Sequence, residues 1–247
     1  MVREQTFDKL YSLKLHGLAA ALEEQLKNPE MDALGFEERL ALLVDAQYLW
    51  RENRACATRL RQARLKMAAS VEDINYRHSR KLDRSLVHAL AGCDWIRQRH
   101  NLTIIGPSGI GKTYLCCALL EKACREGFRA YYAQASKFFR QLGMAWADGS
   151  FDRLLAKLAR TDVLAIDDWG LVPLTDLERR HFLEVLDDRS ESRSTILTSQ
   201  FPVENWHELI GNPTLADAIV ERILANSHRI EMQGETLRKI QPQEVPS

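Results

Sequence analysis

Two textures of apolar spacing divide the chain. Up to about residue 100, apolar side chains recur every third or fourth position, the period of a helix with one buried face. Leu15, Leu18 and Leu22 follow this rule, and Asn28-Pro29 closes the segment. From Phe36 to Ala91 there is neither Gly nor Pro, and Leu40, Leu43 and Val44 mark an apolar helix face. Leu82, Leu86, Leu90 and Trp95 mark another. Beyond residue 100, short solid apolar runs alternate with helical stretches. These runs are "NLTIIG", "FRAYYAQ", "DVLAIDD", "STILTSQ" and "SHRIEM". Cores such as "TII" and "VLAI" carry no polar alternation, as expected of strands buried on both sides. The pattern predicts an α/β fold, a parallel sheet flanked by helices, preceded by a small all-helical domain. The expected limits are 1–70 for the helical domain, 71–100 for a connector and 101–247 for the α/β domain.

The first strand runs into "GPSGIGKT", residues Gly106 to Thr113. The spacing G-x-x-x-x-G-K-[ST] between an apolar strand and an apolar helix specifies a phosphate-binding loop. Glycines let successive N–H groups face one cavity, and the following helix points its positive end at the same place. The binding set is therefore Gly106, Pro107, Ser108, Gly109, Ile110, Gly111, Lys112, Thr113 and Tyr114. Lys112 is placed to reach the β- and γ-phosphates of ATP, and Thr113 to offer its hydroxyl to Mg2+. The metal also needs a carboxylate. "DVLAIDDWG" supplies Asp167 at the C-terminal end of a buried strand, where open α/β sheets put their ligands. Its neighbour Asp168 is the expected acid/base for the attacking water, unless it is a solvated loop carboxylate. "STILTSQ" ends in Thr198, Ser199 and Gln200, one of which is expected to sense the γ-phosphate. Ser199 and Gln200 join the catalytic set, with the choice among the three left open.

Charge changes the picture only locally. Lys plus Arg equals Asp plus Glu, 34 each, so the chain carries no global basic field. "WRENRACATRLRQARLK" nevertheless holds six basic residues against Glu52 alone. Arg51, Arg54 and Arg61 represent this first candidate surface for DNA, against the plain alternative of a solvated helix face. Lys137, Arg140, Arg153 and Lys157 form a second, between the second and third strands. Phe138, Phe139 and Trp146, in the same stretch, read as packing groups. Arg77, Arg80 and Lys81 form a third set that could face the nucleotide, with Tyr76 a weak candidate for stacking on adenine. The five cysteines have no metal-ligand spacing and read as reduced thiols. The N-terminus has no apolar signal core and no run reaches membrane length, so a soluble, cytoplasmic protein is expected.

Taken together, "IIGPSGIGKT", "LAIDDWG", "TSQFPVENWHELI", "ADAIVERIL" and "MQGETLRK" resemble the IstB-like ATPases. These are transposition helpers encoded beside a transposase in insertion sequences, similar to the helicase loader DnaC within the AAA+ superfamily. "FEERLALLVDAQYLWRENR" resembles the small helical domain of that family. The resemblance implies an ATPase that oligomerises as a ring or helix on double-stranded DNA and recruits or activates the transposase of its element. The alternative is a DnaC-like loader of a replicative helicase, which shares the ATPase core. A small-molecule P-loop kinase is a third reading and predicts a monomer without DNA affinity. The resemblance further implies that Arg222, in "ADAIVERIL", is an arginine finger acting on a neighbouring subunit. Its alternative is an exposed ion pair with Asp217 or Glu221. Two departures from the wider superfamily stand out. The carboxylate pair is Asp167-Asp168 where many members have Asp-Glu, so slow or partner-stimulated hydrolysis is expected. No helical lid is expected after "SHRIEM", with Arg238 as a possible replacement for its sensor arginine.

Overall fold

The computed structural model of the chain describes residues 2–76 and 80–237. By internal contacts the chain forms two compact units, Met1–Thr58 and Arg59–Ser247. The division falls inside a long helix, ahead of the residue-70 limit expected from the sequence. The reason is that Leu60 and Ala63 already pack into the core of the second unit.

The first unit is helical. It contains α1 (Val2–Ser12), α2 (His16–Gln25), a 3-10 turn (Pro29–Ala33) and most of α3 (Phe36–Ala63). Gly17 sets the crossing of α2 and α3, because a Cβ there would lie 2.5 Å from Trp50 Cβ and 2.8 Å from the Ala46 carbonyl oxygen. Gln47 and Gln25 tie the two helices by accepting from Leu18 N and donating to the Arg39 carbonyl. Of the predicted apolar face on α3, Leu43 is buried, whereas Leu40 and Val44 are exposed.

In the second unit α4 (Arg84–Ala91) and α5 (Asp94–Arg97) precede a five-stranded parallel sheet. Its strands are β1 (Asn101–Ile105), β2 (Ala130–Gln134), β3 (Val163–Trp169), β4 (Ser194–Ser199) and β5 (Ser227–Glu231), in the order β2-β3-β4-β1-β5. Every pairing is parallel. All five predicted strands are present. Strand alternation feeds two cores. Val163 and Ala165 face α4, α5 and α6 (Lys112–Arg125), while Leu164 and Ile166 face the other layer. That second layer is α7 (Ala135–Ala147), α8 (Phe151–Ala159), α9 (Asp176–Arg189), α10 (Trp206–Ile210) and α11 (Pro213–Leu224). Local signals start several of these helices. Thr175 and Glu178 form a reciprocal capping box on α9, and Asn212 caps α11 ahead of Pro213. Phe138 and Phe139 are buried against Phe182, as packing groups should be. Trp146 is half-exposed and rests edge-on against Phe151. All five cysteines are free thiols, and no helix among the described residues is long and apolar enough to cross a membrane.

Arg189 is the buried charge that holds the bottom of this layer. It is 1% exposed and donates to the carbonyls of Leu158, Thr161 and Ser194 and to the Thr195 hydroxyl. Burial brings its pKa down to about 9, so the guanidinium stays charged at neutral pH. Three backbone oxygens from different elements depend on it. Arg189→Met is expected to lower the unfolding free energy by about 2–4 kcal/mol, because the carbonyls lose donors they cannot replace with water. Urea denaturation checks this; an unchanged midpoint would show that the carbonyls find other partners.

Candidate nucleotide-binding and catalytic site

β1 lies between β4 and β5, and its end delivers the phosphate loop to the middle of the sheet edge. Ile110 is fully buried and anchors the loop from beneath. Gly109 and Gly111 have φ of 81° and 102°, the left-handed region that glycine enters without strain. Gly111 is also the residue before α6 and offers no capping side chain. Pro107 and Ser108 form the exposed crest and Gly106 the buried root of the loop. Lys112 is buried, and its ammonium donates to the carbonyls of Gly106 and Pro107 at 2.6 and 2.9 Å. Arg80 is buried behind the loop and donates to the Ile110 carbonyl. Tyr114 turns its hydroxyl to the Ser70 carbonyl, and Tyr76 lies beside Arg84. Arg77 and Arg238 fall outside the described residues.

The carboxylate end is built by a bulge. Ile166 pairs with Leu197 and Trp169 with Ser199, so Asp167 and Asp168 together oppose Thr198 alone. The extra residue turns Asp168 into the left-handed region, φ 63°, and swings its side chain off the strand's alternation. Asp167 is completely buried. It accepts from the Thr113 hydroxyl at 2.9 Å, from Tyr132 at 2.6 Å and from Thr198 at 2.5 Å. Burial, then the hydrogen bond to Asp167, raises the Tyr132 pKa, so its phenol stays a donor. Asp168 accepts from Gln134 Nε2 at 3.1 Å, and its backbone N–H donates to Thr198 Oγ1. Lys66 Nζ stands 3.7 Å from Asp167 and 3.9 Å from Asp168.

The structure therefore gathers Lys112, Thr113, Asp167 and Asp168 around the ends of β1 and β3. Of the three residues at the end of β4, Thr198 faces this cluster. Ser199 instead donates to the Trp169 carbonyl and accepts from Phe201 N, and Gln200 sits half-buried in the bend beyond. A buried carboxylate one hydrogen bond from a threonine hydroxyl is the donor set that a hard divalent cation takes, so the residues fit Mg2+. Tyr132, Gln134 and Lys66 are members that the sequence reading missed. The first two lie at the polar end of "FRAYYAQ", on the strand beside β3. Lys66 follows the end of α3, within the stretch expected to belong to the helical domain, and has no local signal.

Arg222 lies elsewhere. Its backbone carbonyl accepts from Asn101, at the start of β1, a strand length of about 16 Å from the phosphate loop at the other end. Its guanidinium pairs with Asp187 on α9, not with Asp217 or Glu221, and donates to the Ala218 carbonyl. Lys137, Arg140, Arg153 and Lys157 are all exposed and line one groove of about 520 Å3 between α7 and α8. Arg51 and Arg54 belong to the first compact unit and Arg61 to the second; all three are exposed.

Similar proteins place this architecture. The chain is 46% identical over 241 residues to an insertion sequence ATP-binding protein of Sinorhizobium fredii, an alignment spanning 98% of each chain. It is 49% identical over 203 residues to an insertion sequence ATP-binding protein of Pseudomonas fluorescens, covering 82% of this chain and 88% of that one. Among solved structures, the DnaC helicase loader superposes with a TM-score of 0.58 at 21% identity, over 66% of this chain and 96% of that one, which shows a shared fold. The model of the IstB-like ATP binding proteins matches residues 8–245. With the phosphate loop, the paired carboxylates and the DnaC-like sheet in place, the chain belongs to the IstB-like ATP binding proteins.

Proposed function

We propose that the protein is an ATP-hydrolysing helper of transposition that assembles on duplex DNA and recruits or activates the transposase of its insertion sequence. The observation that carries this reading is the carboxylate bulge beside the phosphate loop, in a chain whose relatives are named as insertion sequence ATP-binding proteins. The loop N–H groups and Lys112 bind the phosphates of ATP. Thr113 and Asp167 hold Mg2+, which supplies charge neutralisation on the phosphoryl oxygens. Asp168 orients the attacking water and takes its proton. Thr198, which donates to the Asp167 carboxylate and accepts from the Asp168 backbone N–H, is the γ-phosphate sensor of the three residues considered. Arg222 completes the site of a neighbouring subunit.

DNA lies along the groove between α7 and α8. Lys137, Arg140, Arg153 and Lys157 provide four cations, and Met144 and Leu154 also line it. With no net charge on the chain, binding by one subunit is weak, and an assembly that repeats the groove gains avidity. Duplex binding is therefore expected to require ATP, to ignore sequence and to weaken steeply with salt. Each phosphate contact contributes a log–log slope of about −0.9. Lys137→Glu with Arg140→Glu should lower the affinity and flatten that slope; the same reversal at Arg54 and Arg61 tests the other surface. A salt titration of duplex binding with ATP, ADP and no nucleotide reads this out. Equal affinity in all three states, or tight binding by a monomer, would overturn the assembly reading.

A further inference from the structure

Lys66 has no place in the phosphate-loop motif, yet it brings a full positive charge to both carboxylates. Its placement is built, not incidental. Arg64 takes a left-handed φ of 55°, which ends α3 and turns the chain toward the sheet. Leu65 and Ala69 then pack against the core that contains Cys117 of α6, and the Tyr114 hydroxyl donates to the Ser70 carbonyl. The segment is thus fastened to the helix that follows the phosphate loop. From this anchorage the ammonium reaches 3.7 Å from Asp167 and 3.9 Å from Asp168. Lys66 also borders a pocket of about 410 Å3 that Arg64 and Lys137 line. Two like charges there disfavour a swing of the ammonium into that pocket, away from the two carboxylates.

We propose that Lys66 is a built-in counter-cation for Asp167 and Asp168 that competes with a divalent metal for them, so that metal enters the site with the nucleotide and not before it. The inference rests on reading this site as a metal–nucleotide site. Asp167 is fully buried and already accepts three hydrogen bonds. A buried carboxylate still lacks a counter-charge after such bonds, and Lys66 supplies it. A bare divalent cation beside Thr113 and Asp167 meets that ammonium at close range. At separations near 4 Å such repulsion is large even where solvent screens part of it, as it does for a lysine side chain that is 41% exposed. The negative charge of a triphosphate cancels the repulsion, so the metal is accepted together with ATP.

Mn2+ binding, followed by paramagnetic resonance on the full-length protein, tests this without any turnover. In the absence of nucleotide, Lys66→Met is expected to bind Mn2+ at least roughly tenfold more tightly than wild type. Lys66→Arg keeps the charge and should stay as weak as wild type. Adding Asp167→Asn to Lys66→Met should remove the gain, which locates the ion at this carboxylate. With ATP present, wild type and Lys66→Met should differ much less. A Lys66→Met variant that binds Mn2+ no better than wild type, or a Lys66→Arg variant that binds as tightly as Lys66→Met, would overturn the inference. If wild type fails to bind Mn2+ even with ATP, the metal–nucleotide reading itself fails.

Discussion

Lys112→Ala is expected to remove ATP binding. The ammonium is buried at the root of the loop, with Gly106 and Pro107 carbonyls as its hydrogen-bond acceptors. A cation so placed is the strongest partner the loop can offer to the β- and γ-phosphates. Charge-assisted hydrogen bonds of this kind are each worth about 1.5–3 kcal/mol. Losing the pair weakens binding by about 10²–10⁴-fold, at 1.4 kcal/mol per tenfold. Calorimetric titration measures it directly. Thermal unfolding gives an independent check, since a ligand at a hundred times its Kd stabilises by about 2.7 kcal/mol. Wild type should therefore show a rise in Tm on adding Mg-ATP, and the variant none. Unchanged affinity in Lys112→Ala would remove the phosphate-loop assignment.

The second large effect is at Arg222. Within its own subunit this residue stands at the opposite end of β1 from the loop, paired with Asp187. Arg222→Ala should accordingly leave ATP affinity unchanged while lowering hydrolysis. Arginine fingers contribute about 10³–10⁵ in rate. The decisive measurement mixes two inactive proteins. Arg222→Ala subunits keep a sound phosphate loop, and Lys112→Ala subunits keep a sound arginine. Sites formed between them regain both parts, so activity should return in a ratio-dependent way. No recovery at any ratio would exclude a shared site, and a loss of ATP affinity in Arg222→Ala alone would point to a role within one subunit.

The strands were legible because each is a solid apolar run bounded by polar residues, and burial on both faces leaves no other use for such a run. The phosphate loop was legible because its chemistry is local: eight consecutive residues contain the glycines, the lysine and the threonine. Asp167 followed from its position at the end of "VLAI". What stayed hidden depends on neighbours remote in sequence. Which of Thr198, Ser199 and Gln200 faces the carboxylates could not be read from the sequence, because it is set by register between β3 and β4, which the bulge shifts by one residue. Gln134 and Tyr132 matter only because β2 lies beside β3. Lys66 arrives from just beyond α3, where a basic residue at the end of a basic helix looks like every other. Leu40 and Val44 show the converse error, a helical apolar face read as buried that remains exposed in the first unit.

The bulge in β3 also bears on why the second acid is short. An acid at position 168 must live with a positive φ, and Asp tolerates that conformation better than residues with longer or branched side chains. Reach and backbone are therefore not independent choices here. A glutamate at this place would extend one methylene farther, but from a conformation it adopts less readily, and it would have to abandon the hydrogen bond that fixes Asp168 to Gln134. The short carboxylate and the left-handed turn beneath it belong together, because the main chain at the bulge, and not side-chain length alone, sets where the second acid points.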